Sequence, residues 1–205
     1  MSERLSDILV KALGLCVSTI GIKMAIDTDQ TLIVIVCCAI GALIGEALKL
    51  ETRLENCGDW IKRKFIKGES QGSFTEGFVT ASMVFCVGSM AIVGPLQAGL
   101  QGNYDILFSK SLLDGIIVIS FAASMGIGAL FAAIPVFVYQ GAITLLASLL
   151  VPVLSDSVIN AMNAVGGVLI LGIGLRMLGL KDIRVGNMVP AVFLPIAALP
   201  LIALF

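Results

Sequence analysis

Apolar residues run along this chain in seven long stretches, about residues 8–26, 31–49, 76–97, 112–133, 135–153, 157–179 and 188–205, with short polar links between them. A helix needs ~20 apolar residues to cross the hydrocarbon of a bilayer. The pattern therefore predicts an all-α polytopic membrane protein with about seven transmembrane helices, forming one integral membrane domain over residues 1–205. The first stretch is interrupted by Lys11 and Lys23, both near its ends, where a long side chain can reach the headgroups.

One link breaks the pattern. LETRLENCGDWIKRKFIKG, within residues 50–73, sets Leu50, Leu54, Trp60, Ile61, Phe65 and Ile66 among charges. That mixture suits an amphipathic helix lying in the membrane interface, with Gly58 expected to interrupt it. Its basic residues (with Lys49 and Lys67 at its ends) mark the link as cytoplasmic. Alternating outward from it puts Arg4, Lys181 and Arg184 inside. The acid-bearing loops Asp27–Gln30 and Ser155–Ser157 then fall outside, with Lys110 the one basic residue on that side.

Two internal likenesses suggest repeats. LSDILVKALGLCVSTIGIKMAID (Leu5–Asp27) and LSDSVINAMNAVGGVLILGIGLRMLGLKD (Leu154–Asp182) share Ile-Gly-aliphatic-basic-Met, as Ile20–Met24 and Ile173–Met177. The two stretches run in opposite directions, so the expectation is a pair of inverted halves, a common plan of secondary transporters. The second likeness joins Glu76–Gly99 to Asp114–Gly141. Each opens on an acid and glycine, carries Ala-Ser-Met, and ends with proline, glutamine and glycine. The two pairings do not combine into one colinear scheme.

Composition supports the membrane reading: 58% of residues are hydrophobic and 13% charged, against about 25% charged in soluble domains. The net charge of −1 says nothing about partners, and no basic stretch is large enough to suggest nucleic acid. The N-terminus has no clean signal-peptide pattern. Cys16, Cys37, Cys38, Cys57 and Cys86 have no metal-site spacing, and histidine is absent, so neither a metal nor another cofactor is expected. No nucleophile–base pair or phosphate-binding loop points to an enzyme, and Gly126-Ile127-Gly128 reads as a mid-helix packing motif.

Candidate chemistry is confined to polar residues within the spans. Ser82, Ser89, Ser120, Ser124, Gln140 and Asn163 are expected to line a solute or ion path, with Glu46 near the inner end of the second stretch; Thr144 shares their depth. Glu76 and Asp114 open their stretches, where the helix dipole alone accounts for an acid. With no acid in mid-span on this reading, oxygen ligands for Na⁺ are the favoured coupling chemistry. Gly94-Pro95 and Ile134-Pro135 are expected to break or end their helices.

The runs TASMVFCVGSMAIVGPLQAGLQGN and SLLDGIIVISFAASMGIGALFAAIPVFVYQGAITLLA resemble an uncharacterised family of bacterial inner-membrane proteins, the YdfK/YqgA type. The resemblance implies an integral protein of the bacterial inner (cytoplasmic) membrane, of a family sometimes labelled as transporters. It transfers no functional residue. It also implies a further apolar, glycine-rich segment ahead of Leu5–Asp27, which is missing here; the face left open by a missing span leads to the expectation of a homo-oligomer. Two functions stay open at this point: a secondary transporter or channel for a small solute or ion, or a non-transporting membrane scaffold or regulator.

Overall fold

The computed structural model describes residues 3–65, 73–180 and 183–202. Every regular element among them is helical. The order is α1 (Glu3–Ile26), α2 (Thr31–Leu48), α3 (Leu50–Phe65), α4 (Ser73–Cys86), α5 (Met90–Gln101), α6 (Asp105–Met125), a 3₁₀ segment (Ile127–Ala132), α7 (Ala133–Leu145), the single turn α8 (Ala147–Leu150), α9 (Asp156–Met177), a second 3₁₀ segment (Val185–Val192) and α10 (Pro195–Ile202).

Five helical stretches among the described residues are long and apolar enough to cross a membrane, and α4 with α5 forms a sixth if that bent pair is one span. The apolar stretch Val185–Leu199 is shorter than the rest. The sequence count of seven is therefore reached only if both irregular stretches cross. Its last segment ends in residues 203–205, outside the described residues.

α9 is the centre. Of its most apolar stretch 67% is buried, against 11–22% for the other four unbroken spans, so α9 packs against protein while the rest turn apolar faces outward. Small residues permit this. A Cβ on Gly21 of α1 would sit 2.5 Å from Leu171 N of α9, and one on Gly167 of α9 would sit 2.5 Å from Ala25 N of α1. Backbones this close are the usual gain from glycine at helix interfaces in a bilayer.

The α1–α9 contact is antiparallel and reciprocal. Gly14 packs on Met177 Cβ and the Gly174 carbonyl, while Gly167 packs on Met24 Cβ and the Gly21 carbonyl. One constant offset carries Gly14 to Gly167, Gly21 to Gly174 and Met24 to Met177. Any antiparallel pair is reciprocal in position. Here the residue types match as well, on the offset that relates Ile20–Met24 to Ile173–Met177. The likeness stops beyond the pair. α9 packs on Val185–Val192, whereas α1 and α2 make little contact, and α2 is a regular helix where the other half has a 3₁₀ segment. Asp182, which ends the second copy, lies outside the described residues.

Several boundaries differ from the sequence reading. The fourth and fifth stretches are not 112–133 and 135–153; α6 begins at Asp105, and the break falls at Gly126, with φ 91°. Pro135 sits in the first turn of α7, where proline is tolerated. Gly128 lies just past this break rather than mid-helix, against the Phe74 carbonyl. Gly58 does not interrupt α3; it packs on Phe78 and Thr75 of α4. Thr75 Oγ1 donates to Asp59 Oδ1 at 2.5 Å on the same contact. The opposite side of α3 is open, with Trp60 exposed beneath Lys64 Nζ at 4.9 Å. Ile66 and Lys67 of that link lie outside the described residues.

Candidate functional site: a broken span and a buried charge pair

The helix path from α4 into α5 breaks at Val87–Ser89 and bends by 59°. Gly88 takes φ 119°, a conformation glycine adopts without a Cβ clash. The expected break at Gly94-Pro95 does not occur; Pro95 is buried inside α5. At the true break, Ser89 N–H donates to Asn163 Oδ1 of α9 at 2.9 Å. A polar backbone group freed inside a membrane must find a partner in protein or water, and Asn163 supplies it. Gly166, one turn on in α9, lies against Val87. Two residues expected on the path, Ser89 and Asn163, are thus brought together, through the backbone of the first and the side chain of the second.

α6 faces the same region. Gly94 of α5 touches Ile106 and Leu107. Since α5 and α6 run in opposite directions, Lys110 is level with the first turn of α5. Its ammonium pairs with the Asp114 carboxylate one turn along α6. The Lys110 side chain is 8% exposed and that of Asp114 24%. Lys110 Nζ lies 5.9 Å from the centre of the Phe85 ring, and the Cys86 thiol is within electrostatic range of both charges. Phe85 and Cys86 are the last residues of α4 before the break. The charge pair and the break therefore share one locality.

This corrects the sequence reading in two places. Asp114 does not open its span but lies close to the middle of α6, and Lys110 is not a loop residue but a buried one. The polar run Ser109-Lys110-Ser111 reads as a loop end, which hid the helix. A usable signal was there: Asp105 N–H donates to Asn103 Oδ1 at 3.0 Å, and Asn followed by an acid is a helix-start pattern.

The remaining candidates are dispersed. Ser82 Oγ donates to the Phe78 carbonyl at 2.6 Å, and Ser124 Oγ to the Ser120 carbonyl at 2.8 Å. Thr144 Oγ1 likewise donates to the Gln140 carbonyl at 3.0 Å. Each of these bonds stays within its own helix, and Ser120 enters them by its backbone. Gln140 Nε2 is buried with no hydrogen-bond partner, so the amide of α7 has a donor to spare. Tyr139 beside it meets Phe193 edge-on at 6.5 Å.

Glu46 belongs elsewhere, to a polar cluster that sequence reasoning missed. Lys49, with φ 51°, turns α2 straight into α3. Glu51, in the first turn of α3, is buried and accepts from Arg176 Nη1 at 2.7 Å and Gly186 N at 3.2 Å. Its own N–H donates to Asn187 Oδ1 at 2.8 Å, while Asn187 Nδ2 donates to Glu46 at 2.6 Å. Arg184 reaches Glu46 at 3.4 Å. The cluster joins the α2–α3 corner to the end of α9. At the opposite end of α9 lies a polar pocket of about 350 Å³, lined by Asp27, Thr28, Asp29, Gln30, Ser157 and Asn160.

Fold and site together define a helical membrane protein with a sharply bent helix pair, α4–α5, and a charge pair beside the bend. The chain belongs to the family described as protein of unknown function (DUF554), whose model matches residues 1–199. It is 34% identical to the uncharacterised membrane protein YdfK of Bacillus subtilis (strain 168) over 199 residues, 95% of this chain and 83% of that one. It is 32% identical to the uncharacterised protein YqgA of Escherichia coli (strain K12) over 206 residues, 99% of this chain and 86% of that one. No solved structure matches it.

Proposed function

We propose that this protein is a secondary transporter or channel for a small solute or ion in the bacterial inner membrane, with its N-terminus and α3 on the cytoplasmic side. The observation that carries the reading is the break at Val87–Ser89, bonded through Ser89 N to Asn163. Discontinuous helices with polar partners are where transporters commonly hold their solutes and ions. The basic residues of α3 favour the orientation. The matched glycine and methionine contacts between α1 and α9 favour a plan of inverted halves. Lipid, or a second copy in a homo-oligomer, would cover the exposed apolar faces of α2 and α6.

On this reading the route passes the break and includes the spare donor of Gln140. Ser82 and Ser124 border it, as does Ser120. The preference for Na⁺ rested on the lack of an acid in mid-span, and Asp114 removes that premise. The test is a flux screen with purified protein in liposomes, covering monovalent ions, small organic anions and amino acids. Protein-dependent uptake of at least one solute is expected. Uptake equal to that of empty liposomes across the panel contradicts the proposal.

A further inference from the structure

The Lys110–Asp114 pair has a property that packing does not account for. Both partners are on α6, so the ion pair itself ties no helix to another, although the Lys110 ammonium also faces the Phe85 ring of α4 at 5.9 Å. An ion pair taken out of water costs desolvation that its attraction seldom fully offsets, and apolar residues of like size often stabilise as well or better. A carboxylate in mid-span is expensive to insert and is retained mostly where it has a function. A merely structural position would be filled better by two apolar side chains.

We infer that Asp114 is a proton-exchange site, its carboxylate binding and releasing one proton at the break while Lys110 holds the unprotonated form in place. The inference deepens the transport reading and rests on it for its purpose: the coupling ion is H⁺. In the exchange a proton adds to one Asp114 oxygen and its ion pair with Lys110 opens. No electrons move, and the proton comes from water reaching the break. The local charge rises from zero to plus one, so a buried lysine is left without its counter-charge. That state is costly, and it gives protonation the leverage to change how α6 sits against α4 and α5.

The surroundings leave few competing groups. From α4 the titratable neighbour is the Cys86 thiol, and from α7 it is Tyr139, itself within electrostatic range of Cys86. α5 and the 3₁₀ segment Ile127–Ala132 carry no titratable side chain. On α1, which also packs on α6, Asp7, Lys11, Cys16 and Lys23 are all exposed. Glu76 is exposed in the first turn of α4 and Asp105 is exposed in the first turn of α6; among the described residues no other carboxylate faces the pair from these elements.

The test is infrared difference spectroscopy of the protein in lipid bilayers, stepped from alkaline to acid pH and read in the C=O stretch of protonated carboxyl groups. Wild type and D114E should show a band from an acid out of water, and D114N should lose it. D114N leaves Lys110 unpaired and can misfold, so the charge-neutral K110Q/D114N serves as the second variant and should lose the same band. An identical spectrum in wild type and K110Q/D114N, or no such band in wild type, overturns the inference. Because the band is read without any solute, a failed flux screen and a failed proton site remain separate results.

Discussion

Asn163 Oδ1 accepts the N–H of Ser89 at 2.9 Å, so the gap between α4 and α5 is closed by a side chain from the central helix. The bond uses the backbone of Ser89 and not its hydroxyl, which sets up a contrast. N163A strands a donor inside the bundle and should cost about 1–3 kcal/mol. S89A should change stability by less than about 0.5 kcal/mol. Thermal unfolding of both variants in detergent checks this; equal losses would mean that the contact does not hold the break.

The charge pair on α6 predicts strong non-additivity. D114N or K110Q alone leaves one buried charge unpaired, at a cost of about 3–5 kcal/mol. The double variant removes both and should recover most of that loss. If the two single losses simply add, the side chains are not coupled as the structure has them.

The cluster at the α2–α3 corner should divide sharply between its two acids. Glu51 is buried and bonded to Arg176 and Gly186 N, so E51Q should lower stability by about 3 kcal/mol. Glu46 is 60% exposed at its side chain, and E46Q should shift stability by no more than about 0.5 kcal/mol. Unfolding midpoints that rank the two in reverse would contradict the burial pattern.

Two glycines give opposite signs for one substitution. A methyl on Gly21 would meet Leu171 N at 2.5 Å and the Gly167 carbonyl at 2.8 Å, so G21A must part α1 from α9. Overpacking of that kind costs about 1–3 kcal/mol. Gly115 has nothing within 4 Å of such a methyl, and G115A should stabilise α6 by up to about 1 kcal/mol. Unfolding measurements on the two variants decide it, and a stabilising G21A would mean that the helices do not approach this closely.

What the sequence made legible was set by length and hydropathy. Long apolar runs are an unambiguous signal, so the helical membrane class and the outlines of α1, α2 and α9 were readable. Helix ends inside polar-interrupted runs were not. Ser109-Lys110-Ser111 looked like the edge of a loop, which moved Asp114 from mid-helix to a first turn and concealed the charge pair. Gly94-Pro95 carries the stronger local signal for a break, whereas the break at Gly88 depends on tertiary contacts that local sequence does not show. Asn163 stands out in the sequence as an amide within a span, and in the structure its Oδ1 accepts from the break. Its partner, a backbone N–H of the break, has no signature in side-chain identity. The cluster around Glu51 joins residues far apart in sequence, and no spacing rule reaches across that distance.

A wet path along the α4–α5 bend would be reached by water-soluble reagents, which substituted-cysteine accessibility in native membranes reads. In a background with Cys16, Cys37, Cys38 and Cys57 replaced, native Cys86 sits at the break, and S89C and Q140C extend the probe along α5 and α7. The account predicts that all three react with a small hydrophilic thiol reagent, although the faces of α2 and α6 that carry Leu43 and Ile119 stay inert when probed by L43C and I119C. If Cys86, S89C and Q140C are as inert as L43C and I119C while D29C in the α1–α2 turn reacts, the interior is dry and the transport reading is wrong.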